Sequence, residues 1–372
     1  MRFNIQSKLL LNRLSAVSKV IGNKNAYAIL DNFLFELEGD TLVVTGSDLE
    51  TRLTAAVNVT EAEGSGKLAL DVRRMLNILK ELPDTALSFD INDETLEVNI
   101  KYPNGEFKIA GLSGDEYPAR AIAAEEPKVM QLPQKQVVSA IQRTVFAVGN
   151  DPAHTVFMGV YWDIMPDRIV FVATDSHVLV RFKHLNVQPG FEASFILPTK
   201  PAQILTNVLD KSGEEPVRVS IDDKSVTFET VDLTLSCRTI NGRYPRYEAV
   251  IPTDVPYNVT VDRVSLLNAL RRVAVLASPG GLVQMDIRAN EIGLRAQDLD
   301  HATSASETVP CDYNGPEMTM GFNNDNIVDV VGNIDSESLT IQLVDPARAG
   351  IFLPGEQPEG EDLLILQMPM MV

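Results

Sequence analysis

The stretch VVTGSDLE at residues 43–50 recurs in altered form as FVATDSHV at 171–178 and as GLRAQDLD at 293–300. Each copy begins like a β-strand and ends in a polar turn around an aspartate. Four pairs of residues give the spacing of the first two copies as 127 positions. The pairs are Leu14 and Ile141, Asp48 and Asp175, Tyr117 and Tyr244, and Pro118 and Pro245. Because four matches occur in the same order, the chain is predicted to contain an internal repeat.

Two amphipathic helices are predicted in each of three repeats, because apolar residues recur at i, i+3, i+4 and i+7. The first helices are expected at 8–20, 135–147 and 262–275, and the second at 71–82, 199–211 and 323–333. Segments with period-two alternation, such as LEVNIKY at 96–102 and LTIQLV at 339–344, predict antiparallel strands. The predicted fold class is α+β, with three similar domains in which two helices pack on antiparallel sheets.

Domain boundaries are expected in the proline-rich connections at 112–133 and 244–256. They divide the 372 residues into domains 1–125, 126–252 and 253–372. A shift of 127 positions carries the closing strand of the second repeat, LSCRTI at 235–240, onto 362–367. In the apolar end LLILQMPMMV, LLILQ is therefore predicted to belong to the closing strand of the third repeat, and MPMMV extends beyond it.

The composition is that of a globular protein, with 45% hydrophobic and 22% charged residues. No apolar run reaches the roughly 18 residues of a membrane span, and MRFNIQSKLL lacks the apolar stretch of a signal peptide. We therefore expect a cytoplasmic protein with no membrane partner. Cys237 and Cys311 are expected to be buried, reduced thiols, and the four histidines form no ligand spacing with them, so no metal or cofactor is predicted.

Enzymatic activity has weak support. Asp175, Ser176 and His177 could form an acid/base or nucleophilic site, but the other two repeats offer no histidine at this turn. The recurring aspartate is better interpreted as a turn residue that binds local backbone N–H groups. EGSGKL at 63–68 fails the spacing of a phosphate loop and no GxGxxG occurs, so we predict no catalytic residue.

Charge is unevenly distributed along the chain. The six predicted helices carry a net charge of +7, which leaves −26 for the remainder of a chain whose total is −19. Lys8, Arg13 and Lys19 occur with no acid between them. Either the helix exteriors are simply solvated, or the helices share one surface and present a basic lining with acidic sheets outside.

The order of several short motifs resembles the sliding clamp family, the β subunits of bacterial DNA polymerase III, over the full chain. The motifs are KLLLNRLSAVSKVIGNK (8–24), GSDLE (46–50), GLSGDEYP (111–118), ATDSH (173–177), NGRYP (241–245), GPEMTMGFNNDNI (315–327) and the terminal MPM (368–370). The resemblance implies a non-catalytic accessory subunit. Two such chains would form a ring-shaped head-to-tail homodimer around duplex DNA, with helices lining the hole.

The resemblance also implies contacts with DNA and contacts between the two chains of the dimer. Lys24 matches a DNA-contacting position of the family, and Arg73 is a second candidate. At the dimer interface, Phe107 and Ile109 would face Val275 and Leu276, with Arg74 near the acids around Asp298. The alternative is that the four apolar residues are ordinary core.

Partners of such clamps, including the replicative polymerase and the clamp loader, dock a short segment containing Gln, Leu and Phe into a pocket. The matching positions are Phe157, Thr174, His177, Val178, Leu179, Pro245, Val250, Asn323, Asn326, Met368, Pro369 and Met370. Ser176, Val178, Ala249 and Met371 depart from the family pattern, which leaves the motif preference open. The rival hypothesis is a repeat-built peptide-binding scaffold that never encircles DNA.

Overall fold

The computed structural model describes residues 1–22, 24–119, 126–278 and 280–372. Six α-helices in this part of the chain confirm the six predicted helices: α1 Ser7–Val17, α2 Val72–Glu81, α3 Gln134–Thr144, α4 Thr199–Val208, α5 Arg263–Ala274 and α6 Asn324–Gly332. The predicted helix at 135–147 ends early because its last residues, Val145–Ala147, form a 3₁₀ turn.

Most of the remaining regular structure consists of short strands. In chain order they are β1 Arg2–Gln6, β2 Asn32–Glu38, β3 Thr41–Ser47, β4 Thr51–Asn58, β5 Thr60–Glu63, β6 Gly66–Asp71, β7 Ala86–Ile91, β8 Glu97–Tyr102, β9 Gly105–Ala110, β10 Leu112–Ser113, β11 Lys128–Pro133, β12 Gly159–Met165, β13 Arg168–Thr174, β14 Val178–His184, β15 Ala193–Pro198, β16 Pro216–Ile221, β17 Ser225–Glu229, β18 Leu233–Arg238, β19 Tyr257–Asp262, β20 Leu282–Arg288, β21 Glu291–Asp298, β22 Thr303–Asp312, β23 Met318–Asn323, β24 Ser338–Leu343, β25 Gly350–Pro354 and β26 Glu361–Gln367.

The chain divides into two compact units. The first contains residues 1–138 and 200–239, and the second contains residues 139–199 and 240–372. In the first unit, one sheet has the order β5-β1-β7-β8-β9 and the other the order β10-β6-β2-β3-β4-β18-β17-β16-β11. The second unit holds the sheet β15-β12-β13-β14-β26-β25-β24-β19-β22-β21-β20-β23. The predicted domain boundaries stay a prediction; the first, between residues 125 and 126, adjoins residues 120–125, which lie outside the described part of the chain.

Polar N-caps determine where three of the helices begin. The carboxylates of Asp71 and Asp262 each accept the backbone N–H three residues on, at 2.7 Å. Asn323 does the same for α6, accepting from Asp325 and Asn326 at 3.0 and 3.1 Å. These side chains satisfy N–H groups that have no partner inside the helix, so each helix starts at a defined residue.

Helices cover one face of the antiparallel sheets, which confirms the predicted α+β class. In the first helix, Leu10, Leu14 and Val17 are fully buried, and they repeat at the spacing of one helical face. Cys237 is buried, as predicted. The prediction is wrong for Cys311, which is only half-buried because Val309 is the one residue of β22 that reaches the core. No helix in the described residues is long and apolar enough to span a membrane.

Candidate functional site

The recurring aspartates form the same turn in all three repeats. One oxygen of Asp48 accepts the backbone N–H groups of Glu50 and Thr51 at 3.1 and 2.7 Å. Asp175 accepts from residues 177 and 178 at 2.8 and 2.7 Å, and Asp298 accepts from residues 300 and 301 at 2.9 and 3.1 Å. The interpretation of these aspartates as turn residues is therefore confirmed.

The turn at Asp175 places a short polar segment at the end of β13. Its carboxylate is occupied by backbone N–H groups, while the ring of His177 is exposed to solvent. The hydroxyl of Thr174 is buried and donates to the carbonyl of Val178 at 2.6 Å. Thr174 thus stabilises the turn, and Val178 and Leu179 continue into the core as β14.

The C-terminal segment runs directly past this turn. Strand β26 pairs with β14, with Val178 opposite Gln367, which confirms the predicted closing strand. Beyond it, the backbone N–H of Met368 donates to the carbonyl of His177, and that of Met370 donates to the carbonyl of Gly321, both at 2.8 Å. Met368 and Met370 are held by main-chain bonds while much of their side-chain surface stays open.

An apolar cluster lies beneath the turn and the tail. It contains Leu179, Leu366 and Tyr244, with the half-buried Phe157 packed against it. The ring of Phe157 meets that of Tyr244 edge-on, with centroids 6.1 Å apart. Tyr244 also stacks on Tyr161 at 4.5 Å, and burial raises the pKa of the Tyr244 hydroxyl. The rings form an apolar floor beneath the turn and the tail.

The other predicted pocket positions lie on three segments around this floor. Pro245 is exposed directly after Tyr244, and Val250 is exposed in the 3₁₀ turn Tyr247–Val250. Asn323 and Asn326 are half-buried at the start of α6, just after the tail's partner Gly321. The structure thus joins the 174–179 segment, the tail and β23 by hydrogen bonds, and joins Phe157 to the same core by packing.

Gly321 is a site residue that sequence reasoning missed. A Cβ built at this position would lie 2.4 Å from Leu282, 2.8 Å from the carbonyl of Met370 and 3.0 Å from Val372. Only glycine leaves room for the tail to cross β23 here. The signal was present, because a glycine inside a strand pattern indicates close approach of another backbone.

Ion pairs neutralise part of the positive charge on the helices. Arg13 pairs with Asp232, Lys135 with Glu214, Arg143 with Glu361 and Arg272 with Glu307. In contrast, Lys8, Lys19 and Arg271 form no ion pair with any described residue. The local positive charge is therefore smaller than the count along the sequence, although uncompensated cations stay on α1 and α5.

The remaining predicted contact residues are accessible. Lys24, Arg73 and Arg74 are exposed, the last two on α2. Phe107 and Ile109 are half-buried on β9, which is the edge strand of its sheet.

The apolar residues after α5 are also open to solvent. Val275 is 78% exposed and Leu276 is 38% exposed, so neither is ordinary core. Asp298 is buried at the end of β21, where a hydrogen bond from the ring of His301 at 3.0 Å lowers the pKa of its carboxyl.

Metal-ligating side chains do not converge in the described residues: no group of three or more His, Cys, Asp or Glu is placed to hold an ion.

Three protein-family models match the chain, one after another along its length. Models of the N-terminal, central and C-terminal domains of the DNA polymerase III beta subunit cover residues 1–121, 131–246 and 248–371. The chain belongs to the DNA polymerase III beta subunit family. Three matched domains agree with the three similar domains predicted from the repeat.

Members of the beta subunit family resemble the chain over nearly its whole length. The beta sliding clamp of Synechococcus elongatus is 27% identical over 339 residues, which is 89% of each chain. That of Pseudomonas putida is 25% identical over 374 residues and covers both chains completely.

Among solved structures, the DNA polymerase III beta subunit of Thermotoga maritima is 25% identical with a TM-score of 0.91, covering 100% of this chain and 99% of that one. A sliding clamp of Pseudomonas aeruginosa bound to griselimycin is 24% identical, with a TM-score of 0.93 and complete coverage of both chains.

Proposed function

We propose that this chain is a DNA sliding clamp, a processivity factor that encircles duplex DNA. The observation that carries the proposal is the match of all three beta subunit domains in order along the chain. Two chains close head-to-tail into a ring in the cytoplasm, and the ring holds DNA by topology with no catalytic site of its own. The replicative polymerase, the clamp loader and other motif-bearing proteins dock at the pocket around Phe157, His177 and Met368.

Ring closure is supported by two strand edges that lack a neighbour. Strand β9 pairs only with β8 among the described strands. Strand β22 pairs with β21 from Thr303 to Pro310 and with β19 only at Cys311 and Asp312, so its other edge is free from Thr303 to Pro310. Such edges are templates for pairing with another chain.

The repeat predicts how these two edges meet. The first copy of the outer strand, β4, pairs with β18, and the second copy, β14, pairs with β26. In the third copy the equivalent strand is β22, and the strand equivalent to β18 and β26 is β9. The third strand pair, β22 with β9, therefore forms between two chains, which makes the contact head-to-tail.

The register of this contact follows from the equivalent pairs. Ala305 pairs with Ala296, which lies two residues before the turn aspartate of the third repeat. Leu53 and Val180 are the equivalents of Ala305, because each pairs with the residue two positions before the aspartate of its own repeat. Phe107 lies opposite Ile100, as Leu235 lies opposite Phe228. Since Leu53 pairs with Leu235 and Val180 with Ile365, we expect Phe107 of one chain opposite Ala305 of the other.

DNA contacts are sequence-independent in this proposal. Lys24 and Arg73 touch phosphates at the rim, and uncompensated cations such as Lys8, Lys19 and Arg271 add a weak positive field. A mild field suits sliding, because many tight phosphate contacts would hold the ring in place.

Retention on closed DNA tests encirclement. The protein is loaded onto nicked circular plasmid, separated from free protein by gel filtration, and half of the sample is then linearised. We expect retention on the circle and loss from the linear form, because a ring slides off free ends. Equal retention on both forms would contradict encirclement.

The rival, a peptide-binding scaffold that never encircles DNA, shares the pocket but needs no closed dimer. Light scattering during gel filtration separates the two hypotheses. A particle of two chains at micromolar concentration supports the clamp, and a monomer at that concentration supports the scaffold.

A further inference from the structure

We propose that a cavity on the same sheet face as the partner pocket binds an acidic side chain that flanks a partner's pocket-binding segment. The proposal rests on the proposed function, because it assumes that such segments dock at the pocket. It adds a second contact, made by charge, to the apolar contacts of the pocket.

Three rows of paired residues connect the pocket to this cavity along one face of β13, β14 and β26. The first row is Thr174, Leu179 and Leu366, and the second is Val172, Arg181 and Leu364. The third row is Val170, Lys183 and Asp362. The face thus changes from apolar to charged over four residues of strand, or about 14 Å.

The cavity lies at the charged end of this face. Its volume is about 320 Å³, and it is lined by Met165, Arg168, Val170, Arg181, Lys183, Leu185, Tyr247 and Glu248. Val170 and Tyr247 also belong to the apolar cluster under the pocket. The two sites therefore share one core, and the segment around Tyr247 lies between them.

Cations outnumber acids in the cavity wall, which is unusual for a chain with a net charge of −19. Three lining side chains are cationic, and only Glu248 is anionic. Asp362 compensates two of the cations at once, accepting from Arg181 at 2.9 Å and lying 2.7 Å from Lys183. Arg168 pairs with Asp167 at the surface, where such pairs contribute little.

Arg181 has hydrogen-bond donors that Asp362 does not use. Both polar contacts of Arg181 to Asp362 come from one terminal nitrogen, and its Nε is buried with no hydrogen-bond partner. The other terminal nitrogen, Nη1, forms no hydrogen bond with a described residue, so a second carboxylate can accept a hydrogen bond from it and share Lys183.

The apolar part of the wall determines the kind of ligand. Met165, Val170 and Tyr247 surround the cations, and Leu185 is exposed at the rim. The hydroxyl of Tyr247 donates to Asp163 at 3.2 Å, which fixes the ring as a wall. A glutamate suits this site, because its methylene groups contact apolar surface while its carboxylate reaches the cations.

Peptide binding tests the proposal on the complete protein. A labelled core peptide containing Gln, Leu and Phe is compared with peptides extended from either end by neutral residues and a Glu pair at four to eight positions from the core. Matched peptides carry Gln in place of Glu. At low salt we expect one Glu series to bind about three- to tenfold more tightly than its Gln match, with the difference vanishing near 1 M salt.

Variants assign the effect to the cavity. Lys183→Glu should abolish the Glu advantage and favour a Lys extension, while the affinity of the core peptide is unchanged. Lys101→Glu, an exposed charge reversal on β8, is the matched control and should preserve the Glu advantage.

Three outcomes would contradict the proposal, each at a different step. If the core peptide binds but no Glu series gains affinity, the cavity assignment is wrong. A Glu advantage that survives in Lys183→Glu places the charge contact elsewhere. If the core peptide itself fails to bind, the pocket of the proposed function is wrong.

Discussion

Asp286 shows how a single buried carboxylate is stabilised in an apolar sheet. It is 6% exposed and accepts hydrogen bonds from Thr319 at 2.8 Å, from Gln284 at 3.2 Å and from Arg295. Burial alone would raise the pKa of this carboxyl. The hydrogen bonds from Thr319, Arg295 and Gln284 outweigh burial and hold the pKa below its ordinary value.

Asp286→Asn should lower the free energy of unfolding at pH 7 by about 1–3 kcal/mol, because it removes charge-assisted hydrogen bonds. The folded pKa lies below the unfolded value of about 3.9, so the ionised group stabilises the fold above that pH. The stabilisation is lost as pH falls through the folded pKa. Urea unfolding of both proteins from pH 7 to pH 3 should therefore show a difference that narrows in acid.

Asp167→Asn is the matched control, because Asp167 is exposed and its pair with Arg168 contributes little. A constant difference between Asp286→Asn and the unchanged protein across this pH range would show that the charge of Asp286 is not what stabilises the sheet.

Local residues were easier to predict from the sequence than Asp286. Asp48, Asp175 and Asp298 bind backbone groups two and three residues away, so the repeat alone identified their role. Two of the three partners of Asp286, Arg295 and Thr319, come from β21 and β23. Their positions depend on strand pairing, which a single sequence does not specify.

The tail is the element on which the proposed partner pocket depends most. Its strand, β26, is paired on both sides, with β14 and β25. Residues 368–372 add two backbone hydrogen bonds, to the carbonyls of His177 and Gly321, and leave methionine surface open. Methionine adapts its shape to different apolar side chains, which suits a surface with several partners.

Deleting Met368–Val372 should leave the fold and the dimer intact, because β26 remains. It should weaken a peptide containing Gln, Leu and Phe by about 2–4 kcal/mol, or roughly 30-fold to 1000-fold, the contribution of one or two methionines covered by the ligand. Fluorescence titration of a labelled peptide measures the loss.

Deleting only Met371 and Val372 provides the control. Met371 is 97% exposed, and both bridging residues, Met368 and Met370, are retained. This shorter deletion should change peptide affinity little. A chain that no longer dimerises after loss of residues 368–372 would show that the tail belongs to the core.

The sequence predicted the tail as a strand plus an extension, because repeats preserve the order of their strands. It did not predict that Met370 would bridge to Gly321, since that contact joins residues 49 positions apart through main-chain atoms. Side-chain patterns carry no direct record of such contacts. The strand at the start of the tail was therefore predictable, but the main-chain bonds that hold residues 368–372 were not.

Across the whole molecule, the repeat forms two equivalent strand pairs within the chain, β4 with β18 and β14 with β26, and leaves β22 and β9 without the corresponding partner. The exposed Val275 and Leu276 lie beyond α5, and the hydroxyl of Thr303, at the start of the free edge of β22, donates to the carbonyl of Leu276 at 3.4 Å. Apolar surface beside an unpaired strand edge indicates association with another chain.

Cross-linking tests the expected register of that association. A mixture of Lys108→Cys chains and Ser304→Cys chains, both with Cys311→Ser, should give a disulfide-linked dimer under mild oxidation. If Phe107 is opposite Ala305, these two neighbours face each other at about 5 Å between Cα atoms, within disulfide range. Non-reducing gel electrophoresis shows the product.

Thr308→Cys replaces Ser304→Cys in the matched control. It lies four residues further along β22, about 13 Å from the expected partner, and should not cross-link. Equal cross-linking through positions 304 and 308 would mean that the edges meet without a fixed register.

The bonds that hold the tail use the main chain at both ends: the N–H groups of Met368 and Met370 donate to the carbonyls of residues 177 and 321. Every amino acid except proline offers the same N–H group, so the path of the tail is independent of which side chains it carries. Residues 368, 370 and 371 can therefore be randomised in a library, proline excepted, without changing the path of the tail. Gly321 has no such freedom, because any side chain at this position would meet the carbonyl of Met370 and push the tail off the strand.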